Sequence, residues 1–86
     1  VDKAAWMLDH DTPCGREANM GKFLAADAAF NAADVALQTH GGYGFGKEFH
    51  VERYFREARL KRIAPISQEM VLNYISTQAL KLPRAY

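Results

Sequence analysis

One stretch of this sequence combines residue types that could hold a nucleotide or another flat ligand. It runs from Gln38 to Phe45, reads Gln-Thr-His-Gly-Gly-Tyr-Gly-Phe and contains three of the six glycines. Glycine lacks a Cβ atom, so Gly41 and Gly42 leave backbone N–H groups open to close approach by a phosphate or an aromatic ring. Local chemistry predicts either a ligand-contacting loop or a plain helix-ending turn, since glycine commonly ends helices.

Other functions that these residue types can have do not agree with the surrounding sequence. A dinucleotide-binding loop needs a preceding strand and a different glycine spacing. The RNA-binding strand motif matches only at its Gly-aromatic-Gly-Phe centre, and its flanking basic and aromatic residues are absent. The three histidines lack the i, i+4 spacing of a helical metal pair, and Cys14 has no histidine near it in sequence. We therefore predict no metal site.

Composition limits the possible partners. Eleven basic and ten acidic side chains among 86 residues leave a formal charge of +1, which is not the basic surface that nucleic acid requires. No apolar run approaches the ~20 residues of a membrane helix, so we expect no membrane span. The sole cysteine indicates a reducing compartment. The chain starts at Val1, and we expect a fragment of a longer protein.

The periodicity of apolar residues predicts an all-α fold, an antiparallel up-and-down helical bundle with four helical segments. The first covers residues 1 to about 10, and Thr12-Pro13 predicts the start of a long second helix that ends near Thr39. A third helix starts near Val51 and ends at or before Ala64, because a following proline disfavours helical geometry. Ser67 is a predicted N-cap for the fourth. The expected core positions are the following: Phe23, Ala26, Phe30, Ala33, Leu37, Val51, Tyr54, Phe55, Ala58, Met70, Val71, Tyr74 and Ile75.

Two blocks of the sequence resemble the C-terminal helical domain of the flavin-dependent acyl-CoA dehydrogenases. Residues 36–45 are similar to that family's Ala-Leu-Gln-x-x-Gly-Gly-x-Gly-Tyr pattern, and residues 51–59 are similar to Val-Glu-Arg-x-Tyr-Arg-Asp-Ala-Arg. The order and separation of the blocks match, and residues 19–29 resemble the family's Ala-rich helix. The resemblance implies that residues 1–86 are part of that C-terminal domain.

The resemblance implies a function that composition does not. Members of this family bind FAD and remove hydrogens from the α and β carbons of an acyl-CoA thioester, with electrons passing to an electron-transferring flavoprotein. The resemblance also implies a homo-oligomer, either a dimer or a tetramer. The expected location is the cytoplasm in a bacterium or the mitochondrial matrix in a eukaryote. By position, the residues expected to contact FAD held mainly by a neighbouring subunit are Gln38, Thr39, His40, Gly41 and Gly42.

One departure from the family pattern affects catalysis. Pro65 stands where many members have the glutamate that acts as catalytic base, and Ile66 replaces a small glycine. The following residues, Ser67, Gln68 and Glu69, match positions that contact FAD. The catalytic base therefore remains unknown, and Glu69 is better explained as a first-turn residue of a helix. The alternative function is a non-catalytic helical module for oligomerisation.

Overall fold

A computed structural model describes residues 1–84, and all the regular secondary structure in this part of the chain is helical. Two short 3-10 turns, Gly41–Phe45 and Lys47–Phe49, connect the second and third α-helices. No strand occurs among the described residues, which confirms the predicted all-α class. The four α-helices are α1 (Asp2–Asp9), α2 (Gly15–His40), α3 (Val51–Leu60) and α4 (Gln68–Gln78).

The long helix α2 is the centre of the fold. The helices α1, α3 and α4 and the turn Gly41–Phe45 all pack against α2, while α3 and α4 do not contact each other. Ala26 and Ala33 are buried on α2, as their spacing predicts. Phe30 lies between them and meets Phe55 of α3, with ring centroids 5.2 Å apart. Small residues on α2 thus allow its neighbours to approach closely.

The apolar face of α3 is narrower than the sequence predicts. Val51 and Ala58 are buried, but Tyr54 is 54% exposed. Tyr54 lies at the edge of an apolar groove of about 450 Å³ between α2 and α3 instead of inside the core. The groove stays open because, among the described residues, no other helix covers it.

The start of α2 differs from the prediction at Thr12 and Pro13. The helix begins at Gly15, and its N-cap, Cys14, makes no side-chain capping bond. The backbone N–H of Thr12 instead donates to Met7 O at 2.8 Å, at the end of α1. The Thr12 hydroxyl also donates to His10 O, at 3.4 Å, so both groups of Thr12 bond to the end of α1 and neither caps α2.

The start of α4 matches the prediction. Ser67 has extended backbone angles, and its Oγ accepts a hydrogen bond from Met70 N at 3.3 Å. Glu69 lies in the first turn, where a carboxylate interacts favourably with the helix dipole. The last α3 residue is Leu60, followed by turns up to Ala64.

Removing this cap gives a small, defined loss of stability. We expect Ser67→Ala to lower the free energy of unfolding by about 1 kcal/mol, because the Met70 N–H loses its only side-chain acceptor at the helix start. Ser67→Asp should retain most of the stability, since aspartate caps equally well. Urea unfolding followed by circular dichroism measures the difference. Equal midpoints for all three proteins would contradict the capping role.

The described chain is flat and exposes much apolar surface. Its principal extents are 47 × 33 × 18 Å and its radius of gyration is 16.2 Å, whereas a compact domain of this length has about 12 Å. Val71 is the one large side chain among the described residues that is fully buried. Every α-helix leaves at least one leucine exposed, and isoleucines of the loop between α3 and α4 are exposed as well. Apolar faces of this extent mark contacts with other protein surfaces.

Candidate functional site

The glycine turn, defined as Gly41–Phe45, begins where α2 ends. Gly41 follows the last helical residue, His40, with φ +62° and ψ −142°, and its N–H donates to Gln38 O. This backbone conformation is strained for any residue with a Cβ atom. A glycine at position 41 is therefore required for the chain to leave α2 in this direction.

A shallow depression of about 240 Å³ lies at this turn. Among its lining residues are three of the five positions predicted to contact a cofactor: Gln38, Gly41 and Gly42. A Cβ atom built on Gly41 or on Gly42 would meet no other atom within 4 Å. The backbone at both glycines thus faces open space, and an external ligand can approach it closely.

Thr39 and His40 do not line the depression. The Thr39 hydroxyl donates to Val35 O at 2.8 Å, and His40 Nδ1 lies 2.8 Å from Ala36 O. Since a carbonyl oxygen only accepts, Nδ1 is the donor in this contact, and the contact does not engage Nε2. Both polar groups point back along α2, and His40 Nε2 is the atom of this pair that can reach a ligand.

Gly44 fixes the glycine turn to α2. It is buried, and a Cβ atom at this position would lie 2.8 Å from Leu37 O and 3.2 Å from Leu37 Cγ. Only glycine permits this approach. Its role could not be separated from that of the neighbouring glycines by sequence alone, because the contact with Leu37, seven residues earlier, depends on how the turn folds back onto α2.

Exposed aromatic side chains lie on the glycine turn, and one of them, Phe45, lines the depression. Tyr43 is 73% exposed and Phe45 is 83% exposed. Tyr43 packs edge-on against Phe49 with ring centroids 5.7 Å apart, and the His40 ring is 6.2 Å from Phe49. Aromatic rings are costly to leave in water, so this end of the fold is suited to contact with another surface or ligand.

The second group of predicted site residues lies elsewhere on the fold. Gln68 at the start of α4 is only 8% exposed, and its Nε2 lies 3.4 Å from Asp27 Oδ1. Arg62 Nε donates to Gln68 Oε1 at 2.7 Å. Asp27 and Gln38 are eleven residues apart on α2, which is about 16 Å along a helix axis. The two groups therefore do not share one pocket within the chain.

The amide of Gln68 is already engaged inside the chain, while its neighbours are more accessible. Glu69 is exposed in the first turn of α4, and the Ser67 hydroxyl caps that helix. The partners of Gln68, namely Arg62 and Asp27, were not predicted from the sequence. No local signal could have identified them, since Asp27 and Gln68 are 41 residues apart in sequence.

The residue at the expected base position cannot accept a proton. Pro65 is exposed in the loop between α3 and α4 and has no ionisable group. Glu52 on α3 is a poor substitute, because the hydrogen bond from Arg56 lowers the pKa of its carboxyl group below the usual value. A lower pKa makes a carboxylate a weaker base.

Residues 1–84 contain neither a cluster of metal-ligand side chains nor a helix suited to cross a bilayer. Within that range, no group of three or more histidine, cysteine, aspartate or glutamate side chains is arranged to hold a metal ion. None of the helices there combines the length and the apolar character that a bilayer-crossing segment needs.

Comparison with known proteins identifies relatives of the whole chain. Residues 1–80 match the model of the family described as acyl-CoA dehydrogenase, C-terminal domain. The acyl-CoA dehydrogenase FadE12 of Mycobacterium tuberculosis is 49% identical over 88 aligned residues, which cover 100% of this chain and 23% of that protein. The probable acyl-CoA dehydrogenase YngJ of Bacillus subtilis is 42% identical over 94% of this chain and 21% of its own length.

A third relative carries a different name. The 3-(aryl)acrylate reductase of Clostridium sporogenes is 36% identical over 94% of this chain and 22% of its own length. The chain thus spans less than a quarter of the length of each of these three relatives. No solved structure matches it.

Proposed function

The chain belongs to the acyl-CoA dehydrogenase family, and from that premise we propose that it supplies the cofactor-contacting part of the C-terminal helical domain of an FAD-dependent acyl-CoA dehydrogenase. The intact protein would oxidise an acyl-CoA thioester between its α and β carbons and pass electrons to an electron-transferring flavoprotein. The observation that carries this proposal is the bare backbone of Gly41 and Gly42, which lies open beside Gln38 at the end of α2.

The residues present at the glycine turn fit part of a flavin nucleotide. Gly41 and Gly42 offer backbone without Cβ bulk, and Gln38 offers an amide that can donate and accept. A depression of about 240 Å³ is smaller than the pockets of about 300–1,000 Å³ that enclose drug-sized ligands. The turn would therefore hold one portion of FAD, and a second surface is needed to cover the rest.

We assign that second surface to a neighbouring protomer. The exposed ring of Phe45 lines the depression, the exposed ring of Tyr43 lies on the same turn, and both would be covered when the protomers meet. In this arrangement, Thr39 shapes the last turn of α2, and His40 presents Nε2 towards the ligand. The assembly would then be a dimer, or a tetramer built from two such dimers. In either case the glycine turn of one protomer would contact an FAD held mainly by the neighbouring protomer.

The start of α4 forms the second proposed contact with cofactor. Ser67 and Glu69 border the exposed loop, and Gln68 holds this end of α4 against α2 through its contact with Asp27. Since about 16 Å of α2 separates this group from the glycine turn, the two groups would touch different parts of one FAD or two FAD molecules. Gln68 would contribute by placing its neighbours.

When bound, FAD supplies a hydride acceptor for the β carbon of the substrate. The residues of this chain would orient that cofactor and exclude water from part of it. The base that takes the α proton must come from a residue other than Pro65, because proline has no proton-accepting group. We propose oxidation as the direction of the reaction, since FadE12 and YngJ are named dehydrogenases and are more similar to this chain than the reductase.

A second candidate function is a non-catalytic oligomerisation module. The proline at position 65 and the large exposed apolar surface favour it. A module of this kind would form a stable assembly without affinity for flavin. Flavin binding by the intact protein therefore separates the two candidates.

The direct test is to purify the intact protein and examine its flavin. We expect a yellow protein whose visible absorption bleaches anaerobically on addition of an acyl-CoA from a panel of different chain lengths and branching. Bleaching requires both cofactor and catalytic base, so it also shows that a residue other than Pro65 acts as base. A colourless protein that does not take up added FAD would contradict the proposal.

A further inference from the structure

The loop between α3 and α4 is tied to α2 by a lysine that lies in no recognisable sequence motif. Lys22 is half-buried on α2, and its Nζ donates to Lys61 O at 3.1 Å and to Ile66 O. These two carbonyl groups lie at opposite ends of the loop. One ammonium group thus bridges the end of α3 and the residue immediately before the N-cap of α4.

The position of this ammonium group is favourable on electrostatic grounds. Lys61 is the C-cap of α3, so its carbonyl lies at the negative end of the helix dipole. Hydrogen bonds from a charged donor to a carbonyl are stronger than bonds between neutral groups. A lysine in this place therefore stabilises the end of α3 and restrains the loop at the same time.

A second group of contacts ties the same loop to the next turn of α2. Arg62 Nε lies 3.5 Å from Asp27 Oδ1 and donates to Gln68 Oε1 at 2.7 Å. Gln68 Nε2 is 3.4 Å from both Phe23 O and Asp27 Oδ1. The backbone N–H of Gln68 donates to Arg62 O at 3.1 Å. Both ends of the loop are thus fixed to one face of α2.

We infer that Lys22 is a positioning residue, which sets the place of Ser67 and Glu69 relative to α2 and thereby the place of the flavin they contact. This inference rests on the proposed function, since that end of α4 matters to a cofactor only if FAD binds there. Lys22 itself donates both its described bonds to carbonyl groups of this chain. It therefore acts through the loop and not by touching the ligand.

The test compares four variants of the intact protein by hydrogen exchange and by FAD titration. Lys22→Met keeps the aliphatic stem and removes the donors, while Lys22→Arg keeps a charged donor. Lys81→Met removes an exposed lysine outside this loop and is the matched control. Asp27→Asn weakens the second group of contacts independently, and it keeps the test decisive if Lys22→Met fails to fold.

For Lys22→Met we expect about 10-fold faster exchange of the Met70 and Val71 amides, since loss of a charged hydrogen bond opens the start of α4 more often. We also expect about 10-fold weaker FAD binding and a shifted visible absorption maximum, which purely structural loosening elsewhere would not produce. Lys22→Arg should lie close to the wild type, and Lys81→Met should equal it. Asp27→Asn should change the same amides and the same spectrum in the same direction.

Two results would overturn the inference. Unchanged exchange at Met70 and Val71 in Lys22→Met would show that the bridge does not hold the loop. Faster exchange with an unchanged FAD affinity and spectrum would show a structural role alone. Failure of the wild-type protein to take up FAD would instead contradict the proposed function, and the exchange data would still report whether Lys22 restrains the loop.

Discussion

Replacing Gly42 with leucine is expected to weaken flavin binding strongly and to leave the helical fold intact. A Cβ atom at this position meets nothing within 4 Å, so the chain itself has room for the new side chain. A ligand lying against the bare backbone would have no such room. We expect FAD affinity to fall by at least about 100-fold, or ~2.7 kcal/mol, with a change in unfolding free energy within about 0.5 kcal/mol.

Two substitutions of different size at position 42 show whether the loss of FAD affinity grows with the size of the side chain. Gly42→Ala should weaken FAD binding less than Gly42→Leu, because a methyl group displaces the ligand less. Asn31→Leu adds an equal apolar side chain to an exposed position of α2 and should bind FAD as the wild type does. Full affinity in Gly42→Leu would show that no ligand approaches this backbone. Fluorescence titration of the apoprotein with FAD measures all three.

Replacing Gly44 with alanine, in contrast to the substitutions at Gly42, is expected to lower the free energy of unfolding. Its Cβ atom would lie 2.8 Å from the backbone oxygen of Leu37, a contact that no side-chain rotation can relieve. The glycine turn would have to move away from α2, at a cost of about 1–3 kcal/mol. The midpoint of urea unfolding, followed by circular dichroism, should fall accordingly.

Gly46 provides the matched control for Gly44. A Cβ atom there would meet the Glu48 carboxylate at 2.8 Å, but that side chain is exposed and flexible. The carboxylate can rotate away, so Gly46→Ala should change the midpoint little. Equal losses of stability in the two variants would contradict the assignment of Gly44 as the residue that fixes the turn.

Local signals in the sequence predicted the parts of the fold that depend on local chemistry. Ser67 caps α4 because its hydroxyl and the Met70 N–H are only three residues apart. Gly41 ends α2 because only glycine adopts its backbone angles at low cost. Each of these features is decided by a few consecutive residues, and a single sequence is enough to identify them.

The contacts that fix the α3–α4 loop could not be predicted in this way. Lys22 lies 39 and 44 residues before its two acceptors, both of which are backbone oxygens with no side-chain signature. Gln68 is predicted to contact a cofactor, but the bonds of its amide to Arg62 and Asp27 depend on how α4 packs against α2 and have no local sequence signal. The position of Thr12 depends on how α1 ends, which competes with its capping tendency.

The flat shape of the chain connects the fold to the proposed function. With α3 and α4 both resting on α2 and not on each other, the described residues leave apolar faces for other surfaces to cover. We expect the 86-residue chain alone to associate and to lack catalytic activity. Placing reacting groups correctly is a large part of any rate enhancement, and this chain holds only part of the proposed site.

The most direct measurement is a crystal structure of the intact protein with FAD. The account predicts that the backbone of Gly41 and Gly42 lies within about 4 Å of the nucleotide, and that most other contacts to that FAD come from a neighbouring protomer. An FAD located away from this turn, or a glycine turn covered by its own subunit with no ligand beside it, would contradict the account.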